Sequence, residues 1–273
     1  MISGVVRGKY STIPAVLPGI CHLLRKWTTT TKNHLRVCLL QEVIVLIEMN
    51  NVSKTYANGV SALNNIDILI EKGEFVYVVG PSGAGKSSFI KMIYREEKPT
   101  EGSIQIHGTD LMTLKEKHVP FLRRKIGVVF QDFKLLPKLS VFENVAFALE
   151  VIEEPKDVIR RRVMEVLDVV RLKNKARFFP DELSGGEQQR VSIARAVVNN
   201  PRVVIADEPT GNLDPDTSWE IMDILENINR NGTTVLMATH NREIVNAIKK
   251  RVIAIESGRI VRDEMKGDYG YER

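Results

Sequence analysis

The sequence predicts an α/β fold with a mixed or parallel core sheet, a small antiparallel β-subdomain and an α-helical subdomain. Short apolar runs that are typical of strands buried on both faces alternate with helical stretches, which indicates a parallel sheet. Near the start, two stretches in which apolar and polar residues alternate are separated by turn residues, which indicates an antiparallel pair of strands. One long interval has only helical periodicity, which indicates the α-helical subdomain. A chain of 273 residues is long enough to bury the core of such a domain.

The first 45 residues are predicted to be a basic leader, and residues 46–273 are predicted to be the folded domain. Residues 1–41 carry six basic side chains and no acidic one, and they contain both cysteines, Cys21 and Cys38. A targeting peptide, a weak secretory signal, a disordered stretch and a mis-assigned start all fit this composition. The abrupt beginning of periodicity at Val43 favours a stretch without a folding role.

The formal net charge of +5 comes from this leader. Without its six basic residues the chain has 33 basic and 34 acidic side chains, so the folded part is close to neutral. Proteins that bind phosphate backbones carry positive charge on the folded surface, and we therefore expect no nucleic-acid partner. The folded part has no cysteine, which fits a reducing, cytosolic setting. No apolar stretch reaches the roughly 18–20 residues of a spanning helix, so we expect no membrane span in the chain itself.

The predicted elements follow one another in chain order. Residues 43–49 and 62–70 are predicted to form the antiparallel layer, with a turn at Asn58-Gly59 between them. Residues 74–80 form a nearly continuous apolar run, which predicts a buried parallel strand. The next helix is predicted to end at Lys98-Pro99. Further buried strands are predicted at residues 126–130, 203–206, 234–238 and 252–255, with a closing hairpin at Ser257-Gly258.

One long interval, residues 140–172, contains no strand-like run. Its apolar residues recur at helical spacing, which predicts amphipathic helices. We therefore predict a helical insertion over about residues 135–185. The stripe that supports it is Ile159, Val163, Val166, Leu167 and Val170.

A glycine-rich loop follows the strand at residues 74–80 and fits the pattern G-x-x-x-x-G-K-[ST]. Small residues let backbone N–H groups surround phosphates, and the following helix directs its positive end toward them. Lys86 would reach the β- and γ-phosphates, and Ser87 would hold Mg²⁺ through its hydroxyl. The sequence thus predicts that Mg-ATP binds to this loop, whose residues are Gly80, Pro81, Ser82, Gly83, Ala84, Gly85, Lys86 and Ser87.

Two adjacent carboxylates, Asp207 and Glu208, follow the buried run at residues 203–206. A parallel neighbouring strand would bring them to the edge of the sheet where the phosphates lie. There Asp207 is expected to hold Mg²⁺, directly or through water, and Glu208 to polarise the attacking water. A solvated strand exit would have the same sequence, so this prediction depends on the phosphate loop.

A second phosphate cradle is predicted at Ser184, Gly185 and Gly186. Ser184 and Glu187 form the pattern of a capping box, which by itself indicates an ordinary helix start. The two glycines leave backbone N–H groups bare in the first turn, which suits contact with a γ-phosphate. Because the chain already has one cradle, a second cradle indicates a second copy of the protein, and we expect a homodimer.

Together, these motifs resemble the ATPase subunits of ABC transporters, a family of P-loop NTPases, over residues 46–273. The resemblance implies hydrolysis of ATP, with Mg²⁺, between two copies. It implies a catalytic set of Glu208, His240, Lys86 and Gln131.

The same resemblance assigns roles to residues that carry little signal alone. Tyr56 would stack on adenine, and Ser88, which stands where threonine is more usual, belongs to the nucleotide-binding set. Gln131 would contact Mg²⁺ and water, so the implied metal set is Ser87, Gln131 and Asp207. Asp214 would cross to the opposite copy, and His240 would sense the γ-phosphate.

Within the family the likeness is greatest to a cell-division branch of Gram-positive type. Residues 123–132, 206–220, 237–241 and the tail at 267–271 carry it. This branch implies a polytopic membrane partner, activation of cell-wall hydrolases, and a peripheral location on the cytoplasmic face of the cell membrane. The expected docking groove contains Leu135, Leu136, Pro137 and Phe142.

Three other functions are compatible with parts of this sequence. The stretch at residues 206–214 is shared with exporters of lipoproteins or macrolides, so the ATPase of such an exporter is the alternative. A soluble ABC-type ATPase of translation or DNA repair usually has two cassettes or a long coiled coil, and this chain has one cassette. Glu208 and His240 argue against a non-catalytic adaptor.

Overall fold

The computed structural model describes residues 44–270 of the chain. Within that range the chain forms ten β-strands and seven α-helices. The strands are β1 (Val45–Thr55), β2 (Ser61–Glu71), β3 (Phe75–Val79), β4 (Glu101–Ile106), β5 (Thr109–Asp110), β6 (Ile126–Val129), β7 (Val203–Asp207), β8 (Thr234–Ala238), β9 (Arg251–Glu256) and β10 (Arg259–Glu264). The helices are α1 (Lys86–Ile93), α2 (Val119–Arg123), α3 (Val141–Glu150), α4 (Lys156–Val169), α5 (Gly185–Val197), α6 (Pro215–Arg230) and α7 (Arg242–Ile248).

The predicted leader at residues 1–45 lies outside the described residues except for Ile44 and Val45. Val45 is the first residue of β1. Val43 of the first predicted strand and Tyr271 of the tail also lie outside them. The predictions about the leader therefore stay predictions.

The main sheet has six strands in the order β10-β9-β3-β8-β7-β6. Neighbouring strands from β9 to β6 pair in parallel, and β10 pairs antiparallel with β9. Every residue of β3 and β8 is buried, which explains why their sequences are continuous apolar runs. The predicted α/β fold with a mixed core sheet is confirmed.

The two faces of this sheet carry different helices. On β3, Val76 and Val78 pack in a core with the buried side of α1 and the antiparallel strands. Phe75 and Tyr77 point the other way, into a core with α3, α4, α5 and α6. We call these the α1 face and the α5 face. The alternation follows from strand geometry, in which successive side chains point to opposite faces.

The antiparallel layer has four strands, in the order β2-β1-β4-β5, rather than the two that the sequence predicts. The pattern missed β4 because its only buried apolar side chains are Ile104 and Ile106. The end of α1 was also predicted too late, since the helix stops at Ile93. Arg95 adopts a left-handed conformation (φ 59°) just beyond it, which an α-helix cannot continue through.

The closing hairpin is confirmed, with Glu256 paired to Arg259 around Ser257-Gly258. Both turn residues have positive φ, as the two-residue turns that match strand twist require. The Gly258 N–H donates a hydrogen bond to the Ala84 carbonyl (3.0 Å), so this turn supports the glycine-rich loop.

Helices α3 and α4 lie within the interval predicted as a helical insertion, and they pack against α5. Their buried residues join the core of the α5 face. Across residues 44–270, none of the helices combines the length and the apolar character needed to cross a membrane.

Candidate active site

The carboxyl ends of four parallel strands meet at one edge of the main sheet. The glycine-rich loop follows β3, His240 follows β8, Asp207 ends β7 and Gln131 follows β6. The edge where the carboxyl ends of parallel strands meet is the usual binding side of open α/β sheets. The strand order thus brings together most of the residues that the sequence predicts to be functional.

Glycines make the shape of the loop possible. Gly80, Gly83 and Gly85 all have positive φ, which side-chain-bearing residues rarely adopt. A Cβ at Gly80 would collide with the Ile255 carbonyl oxygen, and one at Gly85 with the Ala62 carbonyl oxygen. The loop therefore has two positions where neighbouring backbone leaves room for hydrogen alone. Such close-packed, side-chain-free backbone is what a phosphate cradle requires.

Lys86 and Ser87 begin α1 directly after Gly85, so the N-terminus of this helix faces the loop. The Lys86 ammonium donates to the carbonyls of Gly80 (2.8 Å) and Pro81 (3.0 Å) and so lies over the loop itself. In the first turn of the helix, the Ser88 hydroxyl lies 2.9 Å from the Tyr56 hydroxyl. The predicted adenine-stacking residue is thereby tied to the predicted phosphate site.

Asp207 is not on the strand next to the loop, contrary to the prediction of a neighbouring strand. β8 lies between β3 and β7, and Ala238 pairs with both Val78 and Asp207. Side-chain alternation along β7 directs Asp207 to the α1 face, where Lys86 begins its helix. Burial raises the pKa of the Asp207 carboxyl and the neighbouring Glu208 raises it further, whereas Lys86 and Lys91 oppose the shift.

Glu208 and His240 form a close pair at the same edge. His240 Nδ1 lies 2.8 Å from Glu208 Oε2, and the His240 backbone N–H donates to the same oxygen (3.2 Å). Because a carboxylate only accepts, Nδ1 carries the proton in this pair. The Glu208 side chain is 16% exposed and that of His240 is 64% exposed. Glu208 is therefore held in place, whereas the His240 side chain faces solvent.

The backbone of Glu208 has a left-handed conformation (φ 49°), which costs a non-glycine residue of the order of 1–3 kcal/mol. Its N–H donates to the Ala238 carbonyl (3.0 Å), a bond that holds the chain in this conformation. The bend re-aims the side chain away from the direction set by β7.

Gln131 lies against the loop that precedes α6. Its amide donates to Asn212 Oδ1 (3.4 Å), and the Asn212 amide donates to the Gln131 carbonyl (3.4 Å). Asp214 caps α6 by accepting from the Thr217 N–H (3.0 Å), and the hydrogen bonds from Thr217 hold the pKa of that carboxyl below its usual range. Hydrogen bonds thus connect Gln131 to the loop that ends at Asp214.

Ser184 and Gly185 are not brought to the glycine-rich loop. They start α5, whose buried side packs on the α5 face, whereas α1 packs on the other face of the sheet. The predicted capping box is present: the Ser184 hydroxyl accepts from the Glu187 N–H (3.3 Å), and Glu187 accepts from the Ser184 N–H (3.0 Å). Ser184 itself is exposed, so this helix start is available to a ligand from outside.

We predict that Gly186→Ala destabilises the fold by about 1–3 kcal/mol, the usual cost of overpacking. A Cβ at Gly186 would collide with Thr217 Cγ2, on the neighbouring helix α6. At Gly185 the added carbon would have ordinary contacts, at 3.6 Å from Leu213 and 3.8 Å from Phe133. Urea unfolding of both single variants measures the difference.

The double variant Gly186→Ala/Thr217→Ser is the control, because it removes the methyl group that clashes. It is expected to recover most of the lost stability. Equal destabilisation by the alanines at 185 and 186 would contradict the steric explanation.

Two residues that the sequence analysis did not single out belong to this region. The charge of Lys91 on α1 lowers the pKa of the Asp207 carboxyl, and Thr217 on α6 packs on Gly186. Neither residue had a sequence signal of a functional role, although Thr217 lies in the stretch at residues 206–220 that carries the family likeness. A lysine in a helix and a threonine in its first turn are ordinary surface residues until the tertiary structure brings them to a partner.

The predicted metal ligands are all hard oxygen donors. A serine hydroxyl, an amide oxygen and a carboxylate, from Ser87, Gln131 and Asp207, fit the preference of Mg²⁺. Within residues 44–270 no group of three or more His, Cys, Asp or Glu is assembled to hold a metal on its own. Mg²⁺ is usually bound through one or two carboxylates together with substrate phosphates and water.

The sequence is similar to proteins of known family. The family described as ABC transporter matches residues 63–211. The chain is 75% identical over 225 residues to the cell division ATP-binding protein FtsE of Bacillus subtilis (strain 168), covering 82% of this chain and 99% of that relative. It is 63% identical over 227 residues to the protein of the same name from Streptococcus pneumoniae serotype 2, covering 83% and 99%.

A solved structure is also similar. It is the dimeric structure of a post-hydrolysis state of the ATP-binding cassette MJ0796 bound to ADP and Pi. The TM-score is 0.74 at 38% sequence identity, and the match covers 83% of this chain and 100% of that chain.

Proposed function

Because the chain belongs to the ABC transporter family as an FtsE-type ATP-binding protein, we propose that two copies enclose two ATP molecules between them. The chain is the ATP-hydrolysing subunit of an ABC complex that acts in cell division. The names of both relatives favour this role over the alternative of a lipoprotein or small-molecule exporter.

The observation that carries the paired arrangement is the position of the two phosphate cradles. The loop that begins α1 and the start of α5 pack on opposite faces of one sheet. Each cradle contacts a single side of a triphosphate, so one copy has one half of each cavity. A two-fold pair brings the Ser184 end of one copy against Lys86 of the other and repeats the same cavity twice. The dimeric form of the similar cassette supports this arrangement.

In the proposed reaction, Glu208 orients a water molecule toward the γ-phosphorus and accepts its proton. The bond between this phosphorus and the β–γ bridging oxygen breaks, which gives ADP and inorganic phosphate. Lys86 stabilises the negative charge that develops on the γ-phosphate and the leaving oxygen. His240 holds the Glu208 carboxylate through its Nδ1–H, which supports its assignment to the catalytic set.

Mg²⁺ would be held by Ser87, Gln131 and Asp207 together with the phosphates, where it supplies positive charge next to the reacting group. Tyr56 would stack on adenine, and its bond to Ser88 fixes the distance between the base and the phosphate loop. The loop residues from Gly80 to Ser87, apart from Pro81, which has no backbone N–H, would donate backbone N–H groups to the phosphates. Asp214 would lie at the interface between the copies.

We further propose that an FtsX-like polytopic membrane protein docks on the loop between β6 and α3, from the cytoplasmic side. Leu136 and Phe178 are exposed apolar side chains near the start of α3. The fully buried Asn144 holds this loop in shape, since it accepts from the Leu136 N–H (2.8 Å) and donates to the Leu139 carbonyl (2.8 Å). An exposed apolar patch is typical of a protein–protein interaction site.

Affinity purification of the tagged full chain from its native membranes tests the docking proposal. We expect one integral membrane protein to co-purify with the wild type, and Leu136→Asp to lose it while retaining ATP hydrolysis. Val60→Asp is the matched control, because Val60 is an exposed apolar residue on a different surface. Equal recovery of the membrane protein with Leu136→Asp would contradict this docking site.

A further inference from the structure

The tail that follows β10, residues 267–270, lies against α7. The Arg242 guanidinium carbon lies 5.2 Å from the centre of the Tyr269 ring. The Tyr269 N–H donates to Asn246 Oδ1 (2.7 Å), and the Asp268 carboxylate pairs with Lys249 (3.4 Å). The tail therefore contacts α7 at its first residue, in its middle and at the cap residue that follows it.

The tail is itself fixed to the β9–β10 hairpin. The Arg262 guanidinium donates to the carbonyls of Asp268 (2.6 Å) and Tyr269 (3.0 Å). The Gly267 N–H donates to the Lys250 carbonyl (3.1 Å), and Gly267 is buried. A tail that is anchored on the sheet can hold the helix that it contacts.

α7 is directly connected to the catalytic pair. His240 lies two residues before the first residue of the helix, and Asn241 caps it by accepting from the Ile244 N–H (3.1 Å). A helix of seven residues has little stability of its own, so tertiary contacts decide its position. Its buried side contributes Ile244 and Val245 to the core of the α5 face. A shift of its first turn would move His240 relative to Glu208.

We propose that the tail is a latch on α7 and that Tyr269 is a positioning residue for ATP hydrolysis, acting through Arg242 on His240. This inference rests on the proposed catalytic role of the Glu208–His240 pair. The ring of Tyr269 attracts the Arg242 guanidinium through a cation–π contact. The contact fixes the end of α7 that is nearest to the reaction.

The test compares steady-state ATP hydrolysis by full-length variants, well below their melting temperatures. Because small misplacements of reacting groups lower rates steeply, we expect Tyr269→Ala to reduce kcat about three- to tenfold, with KM for ATP within about twofold. Tyr269→Phe keeps the ring and is expected to restore kcat. Met265→Ala is the matched control, since Met265 is an exposed residue between β10 and the tail.

Amide hydrogen exchange of α7 without nucleotide gives a second readout, which we expect to rise in Tyr269→Ala and not in Tyr269→Phe. Arg242→Ala removes the same cation–π contact. Because the Arg242 side chain is exposed, this variant replaces Tyr269→Ala in the test if the tyrosine variant folds poorly. If Arg242→Ala or Tyr269→Ala keeps the wild-type kcat and only lowers the melting temperature, the tail stabilises the fold without positioning His240. That result would overturn the proposal.

His240→Ala separates the latch from the function on which it rests. If His240→Ala is inactive while Tyr269→Ala hydrolyses ATP like the wild type, the latch alone is refuted. If His240→Ala keeps wild-type kcat, the proposed role of His240 fails, and the latch fails with it.

Discussion

Replacing Glu208 with glutamine is expected to lower ATP hydrolysis about 10²- to 10⁴-fold, the usual contribution of a positioned base. Glutamine has nearly the same shape as glutamate, so it can still occupy the left-handed backbone position and lie near His240. It cannot accept the proton of the attacking water. ATP should still bind, and a long-lived pair of copies should accumulate because the γ-phosphate is not removed.

Phosphate release measures the rate, and sizing chromatography with Mg-ATP measures the pair. Glu71→Gln is the matched control, because Glu71 is an exposed carboxylate at the end of β2 and should not affect either measurement. Monomers alone in the presence of Mg-ATP would contradict the proposed arrangement of two copies. Hydrolysis at the wild-type rate would remove Glu208 from the catalytic set.

Lys86→Ala is expected to abolish useful nucleotide binding. Removing one partner of a buried, hydrogen-bonded charge pair costs about 2–5 kcal/mol, which weakens Kd by at least roughly 30-fold. Lys86 also opposes the upward shift in the pKa of the Asp207 carboxyl, so its loss makes that carboxylate harder to keep charged. Isothermal titration with ATP and Mg²⁺ measures the change in affinity.

The matched control for this variant is Lys117→Ala. Lys117 is an exposed lysine in the turn before α2, and its loss is expected to leave Kd unchanged. Retained ATP affinity in Lys86→Ala would remove the role assigned to this lysine.

The parts of the site that are continuous in sequence could be predicted well. The run from β3 through the glycine-rich loop into α1 shows its buried strand, its turn and its helix in one stretch. The capping box at Ser184 was likewise predicted, because both of its members lie within one helical turn. Local hydrogen bonding and backbone geometry decide such elements, and sequence patterns report them directly.

The order of the strands in the sheet is harder to predict from the sequence. Chain order does not reveal that β8, the eighth strand, lies between β3 and β7, so Asp207 was expected one strand closer to the loop. The strand β4 was missed because only two of its six residues, Ile104 and Ile106, are buried apolar side chains. Lys91 became recognisable only when the helix and the sheet were packed together. These features depend on tertiary contacts, which no local pattern contains.

The position of α1 and α5 on opposite faces of the sheet has a genetic consequence. In the proposed pair, a lesion at Lys86 and a lesion at Ser184 damage different halves of a cavity. If one copy carries the Lys86 lesion and its partner carries the Ser184 lesion, both defects fall in the same cavity. The other cavity then has an intact Lys86 and an intact Ser184. Two defective alleles in one cell can therefore complement each other in part, although either allele alone inactivates both cavities.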